Sequence, residues 1–174
     1  MNAQPDAPRD RDELLERMAI ARDAMLTLLG QIGDEALTGP QDAAGWTAKD
    51  HFYHLAAWRQ LQLARLHGEP EYAVVGLPDQ ASYDALCDSE DFRAINAHIA
   101  ARGRAPIPAA VRAQYVEVDD ALRAAIGRRD FASLFAESRA EASAGGPLVD
   151  STIGNTYAHD EEHRAYILRI VGER

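Results

Sequence analysis

Four long segments carry apolar residues at helical spacing, and almost no segment alternates as a strand does. They cover about residues 10–32, 47–67, 106–127 and 151–171. Apolar side chains that recur at steps of three and four lie on one face of a helix. Helices with one apolar face bury it against each other. The sequence therefore predicts an all-α fold, a four-helix bundle.

The second and third helices are joined by a long crossover, about residues 69–106. A segment of this length is too long to be structureless inside a compact domain. We expect a shorter helix over residues 89–101, with Phe92, Ile95 and Ile99 on one side. The whole length of 174 residues fits a single domain, so we predict one bundle domain over residues 1–174.

The ends of these segments carry local signals. Thr47 with Asp50 three residues later is typical of a capping box at the start of the second helix. Trp46 precedes the cap and could pack against the first turn. Residues 144–147, Ala-Gly-Gly-Pro, indicate a loop before the last helix, and residues 131–135 indicate a small helical cap.

Net charge limits the classes of partner. The formal net charge of −10 gives no overall attraction to nucleic-acid phosphates or anionic membranes. The basic clusters, at residues 102–104 and 128–129, are short. We therefore expect neither nucleic acid nor a membrane as a partner.

The cysteine content and the apolar runs bear on the compartment. Cys87 is the one cysteine, so an intramolecular disulfide is impossible. Nothing near it in sequence activates the thiol, and we interpret it as a half-buried loop residue. The first residues are polar, and no run approaches 18 apolar residues. These features favour a cytoplasmic protein.

The last helix carries His159 and His163. Residues four apart lie one turn apart on one helix face, and Ile167 and Ile170 put this face toward the core. A buried imidazole needs partners for its nitrogens, and one shared metal ion would satisfy both rings and keep both neutral. The alternative is a hydrogen-bonded core pair, or one histidine at the surface.

A third nitrogen could come from the second helix. His51 and His54 are three residues apart, and their spacing alone does not choose between them. His67 lies near the end of its helix, where a positive charge suits the helix dipole. His98 lies in the crossover. We leave His67 and His98 out of the candidate site.

The last helix comes close to the zinc-peptidase motif His-Glu-x-x-His without matching it. Asp160 stands where that motif needs a glutamate as general base, and no histidine, aspartate or cysteine follows His163. A peptidase is therefore disfavoured. We expect Asp160, Glu161 and Glu162 to form a solvated face, with one of them as an alternative partner to a ligand histidine.

Several motifs resemble a known family. Residues 45–58 contain Trp46, then His54-Leu55, then Trp58, and this pattern resembles the second helix of the DinB/YfiT-like superfamily. Residues 94–98, 106–118 and 154–163 resemble the ClbS/DfsB branch of that superfamily. The resemblances span most of the chain.

The resemblance implies a four-helix bundle, often a homodimer, that holds a divalent metal through one histidine of helix two and two of helix four. Carried over by position, these ligands are His54, His159 and His163. Three-histidine sites accept Zn, Ni, Fe or Mn. Some relatives are transferases or isomerases that use bacillithiol or mycothiol, so a low-molecular-weight thiol is a second implied cofactor.

Two functions follow from these observations. The first is a metal-dependent enzyme, a hydrolase or a thiol-dependent transferase acting on a small molecule. Its pocket would include Tyr53, Trp58 and Asn155, although each of them could equally be a core residue or a helix-end hydrogen-bonding residue. The alternative is a bundle that binds or sequesters a small molecule without metal catalysis. A structural dimer with vestigial histidines is the third possibility.

Overall fold

The computed structural model describes residues 7–88, 92–136 and 148–172. Within these ranges all regular structure is helical, with ten helices and a single isolated bridge between Gln41 and Thr47. The helices are α1 Arg11–Gln31, α2 Asp34–Thr38, α3 Ala48–His67, α4 Tyr72–Val75, α5 Gln80–Asp88, α6 Arg93–Gly103, α7 Pro108–Gly127, α8 Phe131–Ala136, α9 Leu148–Gly154 and α10 Tyr157–Gly172. The all-α prediction is confirmed.

The four longest helices form the scaffold. α3 packs against α7 and α10, and α1 packs against the same two helices. They correspond to the four predicted segments. The described part of the chain nevertheless has ten helices, because the crossover contains α4, α5 and α6 and because short helices flank the long ones.

Helix α3 lies at the centre of the protein. Every residue from 51 to 59 is buried, because α3 packs against α2, α6, α7 and α10. The predicted capping box starts the helix: Thr47 accepts a hydrogen bond from the Asp50 amide, and the Asp50 carboxylate accepts one from the Thr47 amide. Polar side chains of α3 must therefore find partners inside the protein.

The prediction of one continuous last helix is wrong. α9 ends at Gly154 and α10 begins at Tyr157. At the break, the Thr156 hydroxyl donates to the Thr152 carbonyl at 2.6 Å, and the Thr156 carbonyl accepts from the Asp160 amide at 2.9 Å. Residues on both sides stay buried, so the apolar spacing looks continuous in sequence. The predicted loop at 144–147 lies outside the described residues.

The predicted crossover helix exists with different bounds. α6 covers Arg93–Gly103 and buries Ile95 and Ile99, but Phe92 precedes it and is 41% exposed. Residues 89–91 lie outside the described part of the chain. Among the residues that are described, no helix combines the length and the apolar character that a membrane span requires.

Candidate metal centre

Histidines from α3 and α10 meet where these two helices pack. Nε2 of His54 lies 3.1 Å from Nε2 of His159. The His163 ring stacks on the His54 ring with centroids 4.8 Å apart, and its centroid is 4.6 Å from that of His159. One nitrogen from each ring lies within 4.8 Å of the others. The spacing of His159 and His163 along α10, together with the packing of α10 on α3, thus brings three imidazoles together.

Burial keeps these histidines neutral. Loss of solvation, together with the neighbouring histidines, lowers the pKa of His54 to about 2. Burial, with the Arg59 charge second, lowers the pKa of His159 to about 3. The pKa of His163 is lowered as well, by burial first and then by the other histidines. Neutral imidazole is the form that binds a metal ion.

The His54 and His159 nitrogens are spaced as two ligands of one divalent ion would be. On a tetrahedral ion with nitrogen bonds of about 2.0–2.1 Å, two ligand nitrogens lie roughly 3.3 Å apart. The two Nε2 atoms of His54 and His159 are 3.1 Å apart. Among the described residues, neither Nδ1 of His54 nor Nδ1 of His159 has a hydrogen-bond partner, although both are buried. Three neutral imidazoles are a donor set that accepts Zn, Ni, Fe or Mn.

His51 lies beside the three histidines and contacts His163. Its Nδ1 lies 2.8 Å from Nδ1 of His163, and its side chain is buried. The group that could hold one ion contains His54 and does not contain His51. This grouping favours His54 over His51, the choice that spacing left open. His67 and His98 are exposed, which agrees with leaving them out.

Two aromatic rings outside the predicted set enclose the cluster. The Trp46 ring centroid is 5.3 Å from that of His51 and 5.0 Å from that of His54. Tyr166 stacks on His51 with centroids 5.8 Å apart. Tyr166 follows His163 by three residues, so its helical position could have indicated it. Trp46 was expected only to pack against the first turn of its helix.

Trp58 lies on the other side of the cluster. Its ring centroid is 6.2 Å from that of His54 and 6.4 Å from that of His159. Its indole Nε1 donates to Oδ1 of Asn96 at 3.1 Å, and the Phe92 ring meets it edge-on. Trp58 is therefore fixed beside two of the histidines, and its contribution to a pocket stays a prediction.

The other two predicted pocket residues have partners elsewhere. The Tyr53 ring packs on Gly103 of α6, where an added Cβ would come within 2.7 Å of Cδ1 of Tyr53. Nδ2 of Asn155 donates to Oε1 of Gln62 at 3.2 Å, next to the break between α9 and α10. Their contribution to a pocket stays a prediction.

Asp160 does not lie on a solvated face, contrary to the expectation for residues 160–162. It is 2% exposed, and its Oδ2 lies 2.6 Å from Nη2 of Arg59. Nε of Arg59 is 3.0 Å from Oδ1 of Asp119, and the Tyr115 hydroxyl donates to Oδ1 of Asp160 at 3.1 Å. This network joins α3, α7 and α10 directly beside His159. Glu161 and Glu162 are exposed, as expected.

Charge pairing keeps Arg59 ionised inside the protein. Burial by itself would lower the pKa of Arg59, but the charges of Asp160 and Asp119 outweigh it and raise that pKa. Burial raises the pKa of Asp160, and Arg59 opposes this shift. The second buried carboxylate, Asp119, is also shared with Arg22, whose Nε lies 3.0 Å from its Oδ2.

Cys87 is partly buried, as the sequence indicated, but it lies near the end of helix α5 and not in a loop. Burial raises the pKa of its thiol. A raised pKa keeps the group in the protonated, weakly nucleophilic form at neutral pH. The structure thus gives Cys87 no sign of an activated thiolate.

Comparison with known proteins gives one match. A family model described as the DinB superfamily matches residues 17–167. This range includes α3 and most of α10, so it contains all four clustered histidines. Neither the curated proteins nor the solved structures contain a match to this chain.

Proposed function

The chain belongs to the DinB superfamily, and from that premise we propose that it is a metal-dependent enzyme acting on a small molecule. The observation that carries the proposal is the convergence of His54, His159 and His163, each able to offer one nitrogen to the same ion. Members of this superfamily often bind divalent metals. The finer assignment proposed here is a four-helix bundle of α1, α3, α7 and α10 that holds a divalent ion such as Zn, Ni, Fe or Mn.

The chemistry depends on a site with three protein ligands. When bound, a divalent ion held by three neutral imidazoles supplies a Lewis acid with an open position and lowers the pKa of a bound water or thiol. In the proposal His54, His159 and His163 hold the ion, and Trp58 forms one wall of the substrate pocket. Tyr53 and Asn155 are retained as proposed pocket residues.

Two reaction types fit such a site. In a hydrolase the activated nucleophile is water, and in a transferase it is a low-molecular-weight thiol such as bacillithiol or mycothiol. The thiol would be a separate small molecule, and the raised pKa of Cys87 gives no sign that the chain carries an activated thiolate of its own. We therefore propose a metal-dependent enzyme whose nucleophile is either water or a low-molecular-weight thiol.

Cobalt spectroscopy tests the proposal and separates the nucleophiles. Tag-free protein is loaded with Co²⁺, and absorption is recorded before and after addition of the thiol. A thiolate-to-cobalt charge-transfer band supports the transferase, and its absence together with Co²⁺-dependent hydrolysis of p-nitrophenyl acetate supports the hydrolase. His54→Ala should abolish either signal, and His98→Ala, at an exposed position, should leave it unchanged. Protein that takes up no Co²⁺ would sink the proposal.

The alternative function is a protein that sequesters a small molecule without metal catalysis. The observation that favours it is the wall of aromatic rings, since Trp46, Trp58 and Tyr166 surround the histidines. Aromatic walls hold organic ligands by apolar contact. Under this alternative, ligand binding survives both removal of metal with a chelator and the His54→Ala substitution.

Three further expectations enter the proposal: the domain count from the chain length, the homodimer from the family resemblance, and the location from the composition. We propose a single domain over residues 1–174, a homodimer and a cytoplasmic location. Sedimentation equilibrium measures the oligomeric state. A monomer at all concentrations would remove the dimer from the proposal and leave the metal site untouched.

A further inference from the structure

His51 lies between a carboxylate and a proposed metal ligand. Its Nδ1 is 2.8 Å from Nδ1 of His163, and its Nε2 is 3.3 Å from Oδ2 of Asp42. The first contact is a hydrogen bond whose donor is set by the tautomers. The second is within ion-pair distance but lacks hydrogen-bond geometry. The three side chains therefore form a row that ends at the histidine cluster.

The short contact between the two Nδ1 atoms restricts the tautomers. Two neutral imidazoles can share this contact only if one Nδ1 carries a proton and the other accepts it. If His51 is the donor, Nδ1 of His163 accepts and Nε2 of His163 carries the proton, which blocks metal binding. If His163 is the donor, Nε2 of His163 has a free lone pair and can bind a metal.

Asp42 selects the second arrangement. When His51 accepts at Nδ1, its proton is on Nε2, the atom that faces Oδ2 of Asp42. A carboxylate 3.3 Å away favours a proton on the facing nitrogen and disfavours a bare lone pair there through its charge. Asp42 thus favours the one tautomer of His51 that leaves His163 able to bind through Nε2.

The loop before α3 fixes the Asp42 carboxylate. Its Oδ1 accepts hydrogen bonds from the amides of Ala44 at 2.8 Å and Trp46 at 2.9 Å, which leaves Oδ2 for His51. Gly45 in this loop has a φ of +82°, a conformation that favours glycine. The carboxylate is therefore oriented by the backbone and not by chance contact.

The His51 ring is held in place as well. It is 2% exposed, stacks on Tyr166 at 5.8 Å and lies 5.3 Å from the Trp46 ring. These two aromatic neighbours fix the plane of the ring, and the contacts with His163 and Asp42 select where its Nδ1 and Nε2 lie. The orientation of the row is thus built into the packing between α3 and α10.

We propose that Asp42 and His51 are positioning residues that hold His163 in the tautomer able to bind a metal through Nε2. The inference rests on the proposed metal site and adds to it two residues that do not touch the metal. It also gives His51 a role distinct from that of His54.

A pair of variants at His51 tests whether this residue positions His163 for metal binding. His51→Phe keeps a ring of similar size but removes the acceptor, whereas His51→Asn keeps an acceptor oxygen one bond from Cγ, as Nδ1 is. We expect His51→Phe to weaken Zn²⁺ affinity by about 10–100-fold. His51→Asn should recover most of that loss. Affinity is measured by competition with a chromophoric chelator, and circular dichroism checks that each variant is folded.

Asp42→Asn tests the tautomer directly. Its carbonyl oxygen keeps the two backbone hydrogen bonds, so its amide group faces His51 and disfavours a proton on Nε2. Nitrogen NMR of the Zn²⁺-loaded protein should find the His51 proton on Nε2 in the wild type. In Asp42→Asn we expect a shift toward the Nδ1 tautomer and weaker Zn²⁺ binding.

The outcomes separate this inference from the function on which it rests. If the wild type binds no Zn²⁺, the metal site and the inference both fail. If the wild type binds Zn²⁺ and His51→Phe binds it equally well, only the inference fails. A wild-type His51 with its proton on Nδ1 in the loaded protein, or an NMR signature of His51 as a ligand, also overturns it. Should His51→Phe not fold, Asp42→Asn decides: unchanged Zn²⁺ affinity, or a His51 proton that stays on Nε2, overturns the inference.

Discussion

Single side chains determine whether the cluster can hold an ion. His54, His159 and His163 are neutral because they are buried, and their nitrogens face each other because they project from two packed helices. In a neutral cluster the nitrogen lone pairs are free to bind an ion, and no positively charged imidazole repels it. The position of each ring thus sets its chemistry.

Both tryptophans of the chain can report on the cluster. Their ring centroids are 5.0 Å and 6.2 Å from that of His54, and the chain has two tryptophans in all. Because paramagnetic ions quench nearby indole emission, we expect one equivalent of Ni²⁺ to quench most of the fluorescence. Excess diamagnetic Zn²⁺ should restore it by displacing Ni²⁺.

The control for this experiment is an exposed histidine. His98→Ala should show the same quenching as the wild type, and His159→Ala should lose it. Unchanged emission in wild-type protein that has demonstrably bound Ni²⁺ would place the ion away from the tryptophans and contradict the proposed site.

Some residues of the site were predictable and others were not. The histidine pair was visible because its spacing and the neighbouring isoleucines point it inward. The sequence spacing could also have predicted that Asp160 is buried, because Asp160, His163 and Ile167 follow each other at steps of three and four. Because Asp160 is charged, it was instead assigned to a solvated face. The partner of Asp160, Arg59, is distant in sequence, and spacing cannot reveal such a pair.

At the scale of the helices, a buried charge network fixes how α10 sits on α3 and α7. Arg59 pairs with Asp160 and Asp119, and Asp119 is shared with Arg22. Arg59 is buried between two carboxylates, so removing Asp160 leaves it with Asp119 alone, which Arg22 also binds. The network lies one residue from His159 and holds that part of α10 in place.

We expect Asp160→Asn to lower the free energy of unfolding by about 3–5 kcal/mol, the usual cost of breaking a buried ion pair from one side. Glu161→Gln is the matched control, because Glu161 is the next residue and is exposed. Its effect should stay within about 0.5 kcal/mol. Urea denaturation of metal-free protein measures both. Equal stabilities for the two variants would show that the network does not stabilise the fold.

The long helices followed from the sequence, and the breaks did not. Apolar spacing located α1, α3 and α7 to within a few residues. It missed the break between α9 and α10, because Ile153 and Tyr157 are both buried on either side of it. Thr156 makes its hydrogen bonds at this break, and a polar residue there does not change the apolar spacing.

For the whole molecule, the neutral histidines make stability depend on pH. Histidines that titrate near 6.5 when unfolded have lowered pKa values in the metal-free fold. The unfolded chain therefore binds more protons below pH 6.5 or so, and stability is lost as the pH falls from there toward the folded pKa values of about 2 and 3. Above that window these groups have no effect.

Each such histidine should add a slope of about 1.4 kcal/mol per pH unit below pH 6.5. We expect the unfolding free energy in a chelator to fall steeply between about pH 6.5 and 4.5, as measured by urea denaturation at several pH values. His54→Gln should make the slope shallower, whereas His98→Ala should not. A flat profile over this range would mean that the histidines are not buried as neutral rings.

The central claim is that one divalent ion binds where α3 and α10 bring three histidines together. The most direct measurement is the Zn²⁺ content of protein made without a histidine tag, after equilibrium dialysis. We expect one equivalent per chain in the wild type and in His98→Ala, and none in His159→Ala or His163→Ala. Wild-type protein without bound Zn²⁺, or His159→Ala that retains a full equivalent, would contradict the account.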